Sequence, residues 1–509
     1  MTETEVIEAI NYLRKYDTET NMIEVKTASV DFPKKCYDTF SSFSNKYGGI
    51  IIFGINEETG FKTEGVYDLN DLQKKISSLC SDSMEPAIRP DILPMKFEGK
   101  NILAVKIDEI LQNKKPCYYI PKGLNKGSYT RVGDRDEVMT DYEIYALQSY
   151  NDHIFEDTRP TKRASVNDLN QEELTKYINK LKDEKPNFAK NSFDKCLKIC
   201  GITDTSEEKV YPTLAGTMLF GEFPQTYYPQ LFVACVVIPG IEIGDTGALG
   251  ERFIDNKRVD GTIEEMIIGT MNFLMRNMKN SVIINSEGKR INRTEYPLEA
   301  LREAVANALI HRDYSTQTEN AYVSVYMYND RIEIINPGAL YGTNKLEKLG
   351  TATTMESRNP TIVRILEEKG DVIENRHSGI PTMKREMKKY GLPEPEFYEE
   401  RDSFKVIFRN KSVVTSQQIV EQGDTQSGQQ SGQQSGQQKT NISEYQDMIL
   451  EYCKDPKTAK EIKEYLHIKS RQYISTNIIK PLISGGKLDY TNKNSINARN
   501  QKYLTVKKD

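Results

Sequence analysis

No run of 18 or more apolar residues occurs in the 509 residues, so no segment reads as a membrane-crossing helix. The opening stretch, MTETEVIEAINYLRKYD, is broken by charges, and neither a secretory leader nor a transit peptide is expected. The seven cysteines form no patterned framework. The nearest two, Cys196 and Cys200, lack a second pair at zinc-ligand spacing, so reduced thiols in a cytoplasm are expected. No G-x-x-x-x-G-K-[ST] signature occurs, which argues against a P-loop motor. What remains is a water-loving globular chain with 37% hydrophobic and 28% charged residues, of a length that suits about two to four domains.

Charge is unevenly spread. Residues 441–509 hold 13 Lys and Arg against 8 Asp and Glu, a local +5; the chain's net −5 then leaves −10 for the rest. A basic end on an acidic body suits contact with a polyanion, although +5 over this length is modest. One boundary is plain. Residues 413–440 carry an SGQQ repeat with nothing apolar to bury, which predicts a flexible linker. Four further blocks are expected: 1–150, an intervening α+β region at 151–285, 286–412, and a separate small domain at 441–509.

In 1–150, MIEVKTA reads as a strand and GGIIIFGIN as a strand buried on both faces. A helix with Cys36, Phe40, Phe43 and Tyr47 on one face lies between them, with Gly48 as its stop. Glu24 and Lys26 are two apart on the first strand, so they share a face, and Glu19 lies five residues earlier. Two carboxylates and a lysine suit a metal-dependent phosphodiesterase. A plain solvated face explains the same spacing.

In 286–412, PLEALREAVANALIHRDYS is a helix with Leu301, Val305, Ala308 and Leu309 as its apolar face. Glu303, Asn307 and His311 recur at i, i+4 and i+8 on another. Such a stripe is often just a solvated face. A bound nucleotide would also account for it: the acid can orient or deprotonate water, and the amide oxygen can ligate Mg²⁺. Two strands, AYVSVYMY and RIEIINPG, follow.

In 441–509, Tyr445, Ile449 and Tyr452 stripe a first helix. Thr458 to Glu461 form a capping box that opens a second, and SRQYISTNIIKPLI from Ser470 makes a third. KLDYT and QKYLTV form a hairpin.

These segments carry three resemblances. The helix LREAVANALIHRDY, the strand ending IEIINPG, SRNP (Ser357 to Pro360) and RHSGI are similar to the GHKL superfamily of ATP-binding domains, in the branch that follows Schlafen-type domains in bacteria. The resemblance implies ATP and Mg²⁺ as cofactors. Glu303 would be the hydrolytic acid if turnover occurs, Asn307 the Mg²⁺ ligand, and His311 part of the site. Asn336 falls where an Asp usually reads the adenine amino group, with Gly338 adjoining and Gly379 in a thinned late glycine box.

The E-x-K strand, YGGIIIFGINEETG and GSYTRVG resemble the Schlafen-type AlbA-like domain. This implies DNA or RNA binding, with Lys26, Arg131 and Arg135 as candidate phosphate contacts. Some relatives of this kind are RNases using two Glu and one Asp. Glu19 and Glu24 match the two Glu as metal ligands, but Asn56 stands at the Asp position. The C-terminal block resembles a winged helix-turn-helix. Ser470, Arg471, Gln472, Tyr473 and Asn477 would meet duplex DNA, and Lys487, Lys493, Arg499 and Lys502 would touch phosphate.

The expected fold is therefore α+β and multidomain: an AlbA-like Schlafen domain, a GHKL-type α/β sandwich and a winged helix. The expected function is an ATP-binding, nucleic-acid-binding transcriptional regulator, in assemblies of identical copies and away from membranes. The alternatives are a metal-dependent Schlafen-like nuclease of phage defence switched by ATP, and a scaffold with a degenerate nucleotide site.

Overall fold

A computed structural model describes residues 1–284, 290–351, 355–370 and 379–410, together with parts of 449–506. The chain divides into two compact units, Met1–Val414 and Thr415–Asp509. No helix among the described residues is long and apolar enough to cross a membrane.

The first unit opens with helix α1 (Glu3–Tyr16), started by a reciprocal Thr2–Glu5 capping box. Its buried residues, Val6, Ala9, Ile10 and Leu13, recur at helical spacing and face a four-stranded sheet. That sheet is built from β1 (Ile23–Lys26), β2 (Gly49–Phe53), β3 (Asp91–Phe97) and β4 (Lys100–Ile107), in the order β1-β2-β4-β3. Parallel pairing sets Val25 beside Ile52. Helix α2 (Cys36–Asn45) covers the opposite face. Alternation along β2 sends Ile51 and Phe53 towards Phe40 and Phe43 of α2, and Ile52 towards Ile10 and Leu13 of α1. The strand is thus buried on both faces, as its unbroken apolar run implies. Helix α2 ends before the expected stop. Tyr47 and Gly48 both adopt left-handed backbone, with φ of 69° and 68°, and Gly48 N–H closes on the Phe43 carbonyl at 3.0 Å. A hairpin, β5 (Tyr129–Val132) and β6 (Arg135–Val138), leads to helix α3 (Asp141–Asn151), which starts on a Thr140–Glu143 capping box.

The rest of the unit is organised by a six-stranded mixed sheet. Its strands are β7 (Val233–Val237), β8 (Asp255–Val259), β9 (Val323–Met327), β10 (Arg331–Pro337), β11 (Glu396–Glu399) and β12 (Ser403–Arg409), in the order β8-β7-β9-β10-β12-β11. Two of these strands come from the intervening region, in which the sequence shows no chemical motif. Helices α4 (Ile263–Asn277), α5 (Leu298–Ile310), α6 (Pro360–Lys369) and α7 (Gly379–Lys389) share one large core with this sheet. Leu301, Val305, Ala308 and Leu309 of α5 are all buried in it.

Asp157 ties a distant loop to α6. Its fully buried carboxylate accepts the N–H groups of Thr361 at 2.7 Å and Ile362 at 3.1 Å. Burial outweighs these donors and raises the carboxyl from 3.8 to about 6. Between those values the folded chain keeps a proton that the unfolded chain has released, so this group's contribution to stability falls as pH rises through that window and is flat above it. The stability gap between wild type and Asp157→Asn should therefore narrow as pH rises from 4 to 6. Urea denaturation at both ends of that window checks this; a constant gap refutes it.

All seven cysteines are buried and unpaired. Burial pushes the thiols of Cys36, Cys80, Cys117 and Cys235 up to about 12, and those of Cys200 and Cys453 up to about 11.

In the second unit, Ile449, Cys453, Ile462, Ile479, Leu482 and Leu488 form a small core. Strands β13 (Lys457–Thr458), β14 (Leu488–Tyr490) and β15 (Lys502–Thr505) pair antiparallel in the order β13-β15-β14. The capping box is present. Glu461 N–H donates to the Thr458 hydroxyl at 3.3 Å, and Thr458 N–H to the Glu461 carboxylate at 2.8 Å.

Candidate functional site

Helix α5 and strand β10 meet around a cavity of about 280 Å³. Glu303, Asn307, His311, Asn336, Gly338 and Gly379, drawn from three segments separated in sequence, all line it. The i, i+4 spacing brings Glu303 and Asn307 to one side of α5, and His311 caps the helix by donating its N–H to the Asn307 carbonyl at 3.0 Å. The His311 ring is open to the cavity yet surrounded by protein. That burial, aided by the charge of Arg358, lowers its pKa to about 4, so it is neutral at pH 7.

Gly338 follows β10 with φ of 110°, which side chains rarely adopt. A Cβ there would lie 2.6 Å from both the Asp313 Cβ and Arg358 Nη1. Gly379 backs onto the acid and amide of α5. A Cβ on it would stand 2.8 Å from Asn307 Nδ2 and 2.9 Å from Glu303 Oε2.

The sequence reading gave no role to Arg358, which lines the wall, or to the residues that hold it and the end of α5. Arg358 is buried and paired with Asp313, and Arg358 Nη2 donates to the Ala339 carbonyl at 2.6 Å. Tyr142 of α3 donates its hydroxyl to Asp313 Oδ2 at 2.9 Å. Asn359 donates to the carbonyls of Ile310 and Arg312, both at 2.8 Å, and so satisfies backbone acceptors left open where α5 ends. SRNP and HRDY were visible as motifs, but nothing in the sequence says that their Arg and Asp are partners.

The walls suit a polar ligand. Asn336 is 6% exposed, its side chain makes no hydrogen bond to any described residue, and its Oδ1 is buried without a partner among them. Ser357 Oγ and Arg358 Nε, in the same wall, are buried and unpartnered as well. Such groups are costly unless something supplies their missing partners.

The N-terminal candidates form a charge cluster. Glu24 is buried at 5% exposure, not solvated. It accepts from Arg131 Nη2 at 2.7 Å and also binds Lys26 Nζ. Arg131 Nη1 reaches Asp136 at 2.9 Å, and its Nη2 also donates to the Thr20 carbonyl at 2.9 Å. The Arg131 side chain is therefore enclosed between two carboxylates and turned away from solvent, where a phosphate contact would need it. Arg135 is exposed. Glu19 accepts the Val25 N–H at 2.7 Å, and burial, reinforced by the Glu24 charge, raises its carboxyl to about 8. Asn56 is committed elsewhere: its Nδ2 donates to Glu64 at 2.8 Å and its Oδ1 accepts the Glu58 N–H at 3.0 Å. Among the described residues no group of three or more His, Cys, Asp or Glu is placed to hold a metal ion.

Lys487 and Lys502 of the second unit are exposed. Ser470, Arg471, Gln472, Tyr473, Asn477, Lys493 and Arg499 lie outside the described residues.

Comparison with known proteins locates three family models. Residues 19–140 match "Schlafen, AlbA_2". Residues 320–408 match "Putative ATP-dependent DNA helicase recG C-terminal". Residues 146–234 match a domain of unknown function, DUF8451. No curated protein matches the chain. Among solved structures, the DIP2311 protein from Corynebacterium diphtheriae is 14% identical over 99% of this chain and 97% of its own, with a TM-score of 0.39. The N-terminal domain of a RecG-related protein from Nitrosomonas europaea is 27% identical over 26% of this chain and 94% of its own, with a TM-score of 0.22. The chain is thus a multidomain α+β protein with a Schlafen AlbA_2 domain over residues 19–140 and a HATPase-type match over residues 320–408.

Proposed function

We propose that this chain is an ATP-binding regulator that engages nucleic acid through its N-terminal domain and its C-terminal unit. One observation carries the reading: Glu303, Asn307, His311, Asn336, Gly338 and Gly379 converge on one cavity, in which the Asn336 side chain has no hydrogen-bond partner among the described residues. In this reading the Asn336 amide meets the base, Gly338 and Gly379 keep the walls clear of side chains, and the Asn307 oxygen holds Mg²⁺. Mg²⁺ needs few protein ligands where phosphates supply others, and when bound it neutralises phosphate charge. Glu303 orients water if hydrolysis occurs.

The N-terminal domain binds rather than cuts. The charge of Glu24 is already balanced by Arg131 and Lys26, and Asn56 offers only a neutral oxygen. These features weigh against the nuclease alternative. Lys26 and Arg135 remain its candidate phosphate contacts. The C-terminal unit contributes Lys487 and Lys502 towards duplex DNA.

Calorimetry with ATP and Mg²⁺ tests the central claim. Wild type should bind, and Asn307→Ala should lose the magnesium-dependent part of the affinity. No binding at millimolar ATP would end the reading. DNA affinity of the full chain should fall steeply with salt as counterions are released.

A further inference from the structure

We propose that the cavity accepts guanine as well as adenine nucleotides, and that Asn336 is the residue that leaves the two undiscriminated. The inference rests on the nucleotide reading of the cavity and goes beyond it to base selectivity.

The argument starts from hydrogen-bonding inventories. Adenine carries an amino group at position six, which donates; guanine carries a carbonyl there, which accepts. An ionised carboxylate has acceptors only. Set against that edge, it attracts the amino group and repels the carbonyl. A side-chain amide has an acceptor oxygen and a donor nitrogen on one planar group. Turned by half a rotation about its last torsion, it can present either.

For such a group to be permissive, nothing may lock its orientation. Among the described residues, Asn336 meets that condition. No described residue hydrogen-bonds its amide, although the residue is only 6% exposed and its oxygen is buried. Its backbone, by contrast, is fixed. Asn336 pairs with Phe404 in the β10–β12 ladder, Asp313 N–H donates to the Pro337 carbonyl at 2.9 Å, and Gly338 N–H donates to Asp402 at 2.7 Å. A rigid strand end thus carries a freely oriented amide into the cavity. The nearby orphan Ser357 Oγ does not restore selectivity, because a hydroxyl also both donates and accepts.

The test is calorimetry on the full chain with Mg²⁺ and ATP, GTP or ITP, comparing wild type, Asn336→Asp and Asn336→Ala. Wild type should bind ATP and GTP within about fivefold of each other. Asn336→Asp should keep ATP binding and weaken GTP and ITP at least about tenfold, the scale of one mismatched hydrogen bond. Asn336→Ala should weaken ATP and GTP alike. If wild type takes ATP but rejects GTP by about a hundredfold or more, the proposal falls while the nucleotide reading stands. If ATP and GTP fall together in Asn336→Asp, Asn336 is not the discriminating group. If neither nucleotide binds a chain shown to be folded by circular dichroism, the nucleotide reading fails and takes this inference with it. Should Asn336→Asp fail to fold, the wild-type ratio of ATP to GTP affinity decides alone.

Discussion

Replacing Arg131 with methionine should destabilise the first unit by about 3–5 kcal/mol, the usual cost of stranding a buried charge. Arg131 is among the largest fully buried side chains and is held by Glu24 at 2.7 Å and Asp136 at 2.9 Å, with its guanidinium 5.1 Å from the centre of the Phe43 ring. Methionine fills much of the volume and keeps the ring contact, but leaves two carboxylates facing each other in a poorly solvated space. Thr39 and Ser42 hydroxyls still donate to Asp136, so some compensation survives. Adding Glu24→Gln and Asp136→Asn to Arg131→Met should recover part of the loss, because the charges that the arginine balanced are then gone as well. The chain has no tryptophan, so urea denaturation followed by circular dichroism is the appropriate measurement. A stability within about 1 kcal/mol of wild type for Arg131→Met would show that the cluster contributes little, as surface pairs do.

Gly338→Ala should have the largest effect on the cavity. A φ of 110° is strained for alanine by about 1–3 kcal/mol, before any contact is counted. The added carbon would sit 2.6 Å from Asp313 Cβ and Arg358 Nη1, and relief requires separating that pair or moving the end of β10. Either displaces Asn336 and the Gly338–Asp402 hydrogen bond. Nucleotide affinity should drop at least about tenfold, since misplacing one buried hydrogen-bonding group by an ångström forfeits most of its contribution. Unchanged ATP binding and an unchanged melting temperature would show that this loop gives way freely.

The sequence made some of these elements legible because their signal is local. The period of α5 brings Glu303 and Asn307 together within a few residues, and the β10 run ends in an Asn-Pro-Gly that can only be a strand terminus followed by a turn. The GGIIIFG strand reads as doubly buried from its unbroken apolarity. What stayed hidden depends on long-range pairing. Tyr142, Asp313 and Arg358 come from three separate segments and look like ordinary surface residues until the fold joins them. Arg131 misleads for a related reason. As a candidate phosphate contact its guanidinium is expected outside, yet Glu24 and Asp136 supply the counter-charges that allow it inside. Asn56 shows a third limit: its position in the motif says nothing about Glu64 and Glu58, which occupy its amide.

The seven enclosed thiols amount to a built-in stopwatch. Alkylating reagents must reach the sulfur to attack it, and a thiol enclosed by protein reacts only when its surroundings open. Six of the seven cysteines lie in Met1–Val414, while Cys453 is alone in Thr415–Asp509. The pace at which mass is added at Cys453, set against the pace at the other six, therefore times the opening of the small unit and the large one separately, in a single tube and without altering a residue.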